Sequence, residues 1–232
     1  MIELGPNVYR VPTVPFNAVN SFIFVEPDGS LTLVDAGLKR APKKLLAALA
    51  ALGKQPSDVK RIVMTHAHID HAGGLERMQR ETGARTLSHH DDAGYLARGE
   101  APPGDKRSFL ARVMAMLPGG RFGPCSVDEE IVDGQLLDVA GGLRVIHTPG
   151  HTPGHVSLLH EPSGALIVGD ALFNVIGMTF SITFACADIP LSRETAGRLG
   201  ELDFEVAAFM HGAEIRERAR DRVREFLRAR LG

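Results

Sequence analysis

Three histidines and one aspartate fall within six residues: His66, His68, Asp70 and His71. They follow the apolar run Ile62-Val63-Met64 and precede Ala72-Gly73-Gly74. Neutral imidazole nitrogens and a carboxylate oxygen are the donors that Zn²⁺ and its neighbours prefer. A cluster this dense beside a glycine-rich loop points to a metal with an open coordination position, and so to metal-assisted chemistry. Further donors stand at His151 in Gly150-His151-Thr152-Pro153-Gly154-His155, at Asp170 after Gly169, and at His211 in Met210-His211-Gly212.

Each of these places, with His147 at the head of the His151 loop, follows an apolar strand-like run: Ile62 to Met64, Leu143 to Ile146, Ala165 to Val168, and Val206 to Phe209. Donors set just beyond strand ends converge at one sheet edge, on a rigid support. His66 and His68 on an extended segment point to one side. Asp70 and His71 turn away where a helix begins, which suits a second ion. Pro149 and Pro153 restrict φ and Gly150 and Gly154 relax it, so the loop between them can aim His151 inward.

The remaining elements follow from pattern. Asn7 to Val11, Ser21 to Val25 and Leu31 to Val34 read as strands, with a turn at Pro27-Asp28-Gly29. Lys43 to Leu52 reads as a helix closed by Gly53. Val59 to Met64 is a strand, Leu75 to Glu81 a helix and Ala84 to Leu87 a strand. Residues 89–130 interrupt this rhythm with helical stretches at Asp91 to Arg98 and Phe109 to Leu117, separated by Ala101-Pro102-Pro103-Gly104-Asp105 and followed by Pro118-Gly119-Gly120. The segment is long for a plain connection and reads as a partly helical insertion covering a site. A second half starts near Ile131, with strands at Leu143 to His147, Val156 to His160, Ala165 to Val168 and Val206 to Phe209. Ile215 to Leu231 reads as an amphipathic helix whose polar face mixes both charge signs.

The chain has 232 residues, 44% of them hydrophobic, and a formal net charge of -2. That suits one large domain over residues 1–232 and gives no net basic field to attract nucleic acid or acidic lipid. No apolar run approaches the roughly 18 residues of a membrane span. The start, Met1-Ile2-Glu3-Leu4-Gly5-Pro6, lacks the basic and apolar regions of a secretory signal. The two cysteines, Cys125 and Cys186, form no CxxC pair. A cytoplasmic protein with free thiols is the expectation.

With its His-x-His-x-Asp-His run and the three later donors, the chain resembles the metallo-β-lactamase fold hydrolases, and it is similar to their small lactonase and glyoxalase II-like members. The resemblance implies an α+β fold, a four-layer αββα sandwich of the metallo-β-lactamase type with the metals at one sheet edge. It implies two divalent metal ions, Zn²⁺ first, with Fe or Mn compatible with the same donors. His66, His68 and His151 would hold one ion; Asp70, His71 and His211 would hold the other; Asp170 would bridge them. The implied activity is metal-dependent hydrolysis of an ester, lactone or thioester through a metal-bound hydroxide, with Asp70 also catalytic as a proton acceptor. The alternatives are iron-dependent oxygen or persulfide chemistry and a non-catalytic metal-binding module.

Two positions separate this chain from named branches. Glyoxalase II-type enzymes carry a basic residue nine positions beyond the bridging aspartate; here it is Thr179. Some acyl-homoserine lactonases carry a tyrosine three positions beyond it; here it is Phe173. The apolar stretch Phe173 to Phe184 is expected to line a pocket for a small molecule with a hydrophobic acyl or aryl part, through Phe173, Met178 and Phe180, or else to form a homodimer interface. Asp35 is expected to tie the site loops together by hydrogen bonds. His147 and His155 read as ligand-orienting or structural groups, His89 and His90 as loop residues near the site mouth, and His160 as structural.

Overall fold

Along the strand β3 (Val19–Val25) side chains alternate between two cores: Phe22 and Phe24 enter one, Ile23 the other, as the two-residue strand period dictates. The computed structural model describes residues 1–114, 116 and 120–232. β3 belongs to a seven-stranded sheet with β1 (Ile2–Gly5), β2 (Val8–Val14), β4 (Leu31–Val34), β5 (Val59–Val63), β6 (Arg85–His89) and β7 (Glu129–Ile131), ordered in space as in sequence. The first four strands are antiparallel neighbours. From β4 to β7 the pairing is parallel, so every step requires a crossover. Helix α1 (Pro42–Ala51) makes the first, α2 (Ile69–Ala72) and α3 (Leu75–Thr82) the second, and α4 (His90–Arg98) and α5 (Phe109–Met114) lie in the third.

The second sheet contains β8 (Leu136–Leu137), β9 (Leu143–His147), β10 (Val156–His160) and β11 (Ala165–Ile167). The hairpin of β12 (Leu172–Asn174) and β13 (Met178–Phe180) follows, then α6 (Ile189–Ala196), β14 (Val206–Ala208) and α7 (Ala219–Leu231). The sheet order is β14-β11-β10-β9-β8. Between the two sheets lies a core that includes Phe22, Phe24, Val63, Val145, Leu158 and Ile167. The outer face of the first sheet packs Leu33 and Ile62 against Leu45, Leu49 and Leu75 of the helices. The outer face of the second packs Leu166 and Phe209 against Ala196, Val223 and Leu227. Helix, sheet, sheet, helix is the expected αββα sandwich.

Several local expectations shift. A strand, β1, precedes the first one read from sequence. The last helix starts at Ala219 rather than Ile215, because Ile215 exchanges backbone hydrogen bonds with Ala207 (2.9 and 2.8 Å) and Arg218 has a φ of 50°. The apolar stretch from Phe173 is a hairpin, and α6 was not anticipated. Of the helix expected over Phe109 to Leu117, α5 covers Phe109–Met114. Ala115, Leu117, Pro118 and Gly119 lie outside the described residues.

Candidate metal centre

The two sheets are joined at one edge by backbone hydrogen bonds, from Val156 N to Thr65 O at 2.9 Å and from Asn20 N to Met210 O at 2.8 Å. At this edge the chain leaves β5, β11 and β14, and the loop before β10 closes the ring. The seven candidate donors arrive on these four segments. Nitrogens of His66, His68 and His151 lie within 4.8 Å of one another, and so do donor atoms of Asp70, His71 and His211. Asp170 stands between the two trios. Its Oδ2 is 4.0 Å from His66 Nε2, 3.3 Å from His151 Nε2 and 3.2 Å from His211 Nε2, and its Oδ1 is 3.5 Å from His71 Nε2. The division into trios follows the backbone: His68 is extended, and Asp70 and His71 are on α2.

The outward nitrogens are fixed by the chain itself, which orients the inward ones. His71 Nδ1 bonds Asp35 Oδ2 at 2.7 Å, His211 Nδ1 donates to Ala18 O at 2.6 Å, and His151 Nδ1 meets Ser181 Oγ at 2.7 Å. Asp35, fully buried, also accepts the Thr65 N–H at 2.8 Å and the Thr65 hydroxyl at 2.6 Å. It ties the end of β4 to the loop after β5, the role expected of it.

Sequence reasoning missed Asp92. Its buried carboxylate accepts the Ala67 N–H (2.8 Å) and Thr152 hydroxyl (2.7 Å) on Oδ2 and the Gly154 N–H (2.8 Å) on Oδ1. It therefore clamps the residue between His66 and His68 to the loop that follows His151. Burial raises its pKa while Thr152, Gly154 and Ala67 oppose the rise. Nothing in Asp91-Asp92 at a helix start marks the second as the buried one. His155 takes the ligand-orienting role, one of the two open to it from sequence. Its Nε2 accepts the Asp170 N–H at 2.7 Å, and its Nδ1 lies 3.0 Å from Thr148 O. Gly169 has a φ of +58°, and a Cβ there would lie 2.4 Å from His155 Nε2, so a glycine is required beside the aspartate.

His147 stacks on His89 at 3.9 Å between centroids and contacts Pro153 O at 2.9 Å through Nε2. His160 bonds Ser163 and Ala140 away from the centre. Among the described residues two more donor groups occur: Asp35 with His66 and His71, all buried, and His89 with His90 and Asp91, the last two exposed.

Electrostatically the centre attracts positive charge. Burial opposes protonation of His71 and His151, but for His71 the carboxylates of Asp170, Asp70 and Asp35 prevail and lift it to about 10. Asp170 does the same for His151, assisted by Cys186, to about 9. Burial, then neighbouring imidazoles, hold His66 and His68 well below the usual range. His66 Nε2, His71 Nε2 and Asp170 Oδ1 are buried without any hydrogen-bond partner among the described residues. Buried polar atoms are rarely left so, and three inward-facing orphans of this kind fit divalent cations that take nitrogen and oxygen ligands.

A cleft of about 770 Å³ opens over His68, Asp70, His151, Asp170 and His211. Its apolar wall includes Pro102, Pro103, Phe173, Ile182, Phe184 and Ala185. Phe173 lies against His211 at 4.4 Å. Met178 and Phe180 do not reach the cleft as expected; they pack with the α7 core, Phe180 at 5.1 Å from Phe226. In the β12–β13 hairpin they face the helix layer, while Val175 and Ile176 at its turn are exposed.

A fold of two stacked sheets with two trios and a shared carboxylate at their edge defines a class. The model of the metallo-beta-lactamase superfamily matches residues 14–211, and the chain belongs to that superfamily. It is 31% identical over 181 residues to the probable metallo-hydrolase YqjP of Bacillus subtilis, over 70% of this chain and 56% of that protein. It is 24% identical over 168 residues to the hydroxyacylglutathione hydrolase GloC of Haemophilus influenzae, over 72% of each. The solved metallo-beta-lactamase family protein TTHA1429 of Thermus thermophilus superposes with a TM-score of 0.74 at 28% identity, covering 99% of this chain and 81% of that one. The chain spans 56% to 61% of the length of the three Bacillus subtilis relatives it matches.

Proposed function

We propose that this chain is a dinuclear metal-dependent hydrolase acting on the carbonyl of an ester, lactone or thioester. The observation that carries the reading is Asp170, whose two oxygens face donors of both trios at 3.2 to 4.0 Å. His66, His68 and His151 would hold one ion, Asp70, His71 and His211 the other, and Asp170 both; Zn²⁺ suits this donor set. Two such cations polarise a carbonyl and lower the pKa of water near neutrality.

The residues of the chain supply the rest. Asp70, about a third exposed at 31%, faces the cleft and is placed to take the proton of the attacking water. That water's oxygen joins the carbonyl carbon, the bond to the leaving oxygen or sulfur breaks, and the leaving group takes up a proton. Phe173 and Ile182 make one side of the cleft apolar, and this wall suits a hydrophobic acyl or aryl group. We read residues 1–232 as one domain, with 89–130 an insertion that supplies Pro102 and Pro103 to this wall. No helix among the described residues is long and apolar enough to cross a membrane; the two buried, unpaired thiols, Cys125 and Cys186, favour a cytoplasmic setting. A homodimer would cover Val175 and Ile176, and sedimentation would reveal it.

The test is turnover of matched esters, lactones and thioesters by metal-replete protein. Hydrolysis of at least one class, abolished by chelation and restored by Zn²⁺, is expected. Protein carrying two ions yet inert toward all three would overturn the reading. Within the active class, each buried CH₂ is worth about 0.8 kcal/mol, so two added methylenes should raise kcat/KM roughly tenfold.

A further inference from the structure

Five cationic side chains that are scattered in sequence meet in a second cleft beside the catalytic one. This cleft, of about 830 Å³, is lined by Lys39 and Arg40 after β4, Arg77 and Arg80 on α3, and Arg121. Glu76 is the only acid on its wall among the described residues. Arg77 is paired with Glu81 at 2.6 Å and Arg121 with Glu100 at 2.9 Å. Lys39, Arg40 and Arg80 have no ion pair within 4.0 Å among the described residues, and the four residues outside the description (Ala115, Leu117, Pro118 and Gly119) carry no charge. Counting Glu76 and the paired Glu81 and Glu100, the cleft keeps a local excess of two positive charges in a chain whose formal net charge is -2. Cations gathered in a concave, low-dielectric wall raise the local concentration of anions.

The two clefts adjoin. Ile69 and Arg121 line both, and Ile69 sits between His68 and Asp70. A molecule whose carbonyl lies over Asp70 and whose acyl part lies against Phe173 and Phe184 can place its opposite end over Ile69 in the basic cleft. That end is the leaving group. Arg guanidinium groups match phosphate geometry with paired donors. We propose that the basic cleft holds the phosphates of a phosphorylated leaving group, so that the substrate is an acyl ester or thioester of a phosphate-bearing alcohol or thiol. The assignment rests on the hydrolase reading above and deepens it.

Two thioesters with the same acyl group separate the two claims. An acyl-coenzyme A thioester carries phosphates on its thiol; the N-acetylcysteamine thioester carries none. The coenzyme A thioester should be turned over with a kcat/KM at least about thirtyfold higher at low salt, and the advantage should shrink as ionic strength rises. In the double variant R40E/R80E the ratio of the two kcat/KM values should fall at least tenfold, with the fold checked by circular dichroism. Hydrolysis of both thioesters at equal kcat/KM would overturn this inference and leave the hydrolase reading standing. An advantage that R40E/R80E leaves intact would also overturn it. Turnover of lactones alone would overturn this inference and leave the hydrolase reading standing, whereas no hydrolysis of thioesters, esters or lactones by protein carrying two metals would bring down the hydrolase reading itself. Inorganic pyrophosphate tests a free anion as the occupant: a change in turnover of the N-acetylcysteamine thioester that R40E/R80E abolishes, with no advantage for the coenzyme A thioester, would assign the cleft to free phosphate and overturn the substrate assignment.

Discussion

Asp92 and Thr152 are 60 residues apart in sequence and joined by a buried hydrogen bond of 2.7 Å. The same carboxylate oxygen accepts the Ala67 N–H. One side chain on α4 thus sets the distance between the His66-x-His68 segment and His151, the two sources of one trio. Asp92→Ala would orphan three buried donors. Each costs about 1–3 kcal/mol, so a loss of several kcal/mol in urea unfolding is expected. Asp92→Asn keeps one acceptor oxygen and should retain the fold while releasing metal to a chelator at least about tenfold faster than wild type. Unchanged release in the Asn variant would show that Asp92 serves stability alone.

The other trio depends on a second clamp. Asn20, fully buried, donates through Nδ2 to Phe209 O and Gly212 O, both at 2.9 Å, on either side of His211. Its Oδ1 accepts from Arg10, whose guanidinium is paired with Glu214 at 2.6 Å. Asn20→Leu would leave two carbonyls and part of a buried cation without partners, for a cost of about 2–4 kcal/mol. Metal titration of the folded variant should show weakened binding of one ion and little change in the other. Equal weakening of both would contradict the separation of the trios.

The donors and the sheet edge were legible because ligand type and spacing are local properties: His66 to His71 follow a recognisable strand, and Gly-His and Gly-Asp pairs end others. Asp92 and Ser181 were not, because each acts through a tertiary contact 30 or more residues away. The same holds for the basic cleft. Net charge conceals it, since Lys39, Arg80 and Arg121 become neighbours only when α3 and residues 121–126 pack together. The β12–β13 hairpin misled for another reason: its alternation of Phe173, Met178 and Phe180 divides between cleft and helix layer, and apolar character alone does not say which face a residue takes.

The pH dependence of stability should carry the mark of His89. Burial, then the imidazoles of His147 and His90, lower its pKa from 6.5 to about 4. The unfolded chain therefore binds the proton first, and the contribution of neutral His89 is full above about pH 6.5 and lost as pH falls toward 4. His89→Phe keeps an aromatic ring against His147. Its stability should fall less steeply than that of wild type between pH 6.5 and 4, measured by chemical unfolding at each pH. Parallel profiles would contradict the account of His89.

The central claim is that Asp170 serves two cation sites at once. Elemental analysis of gently purified, metal-replete protein measures it most directly, by counting divalent ions per chain. The geometry of Asp170 between the two trios predicts a value approaching two, falling to one or less in Asp170→Ala with the fold intact. A plateau at one ion per chain in the wild-type protein, unchanged by the loss of Asp170, would contradict it.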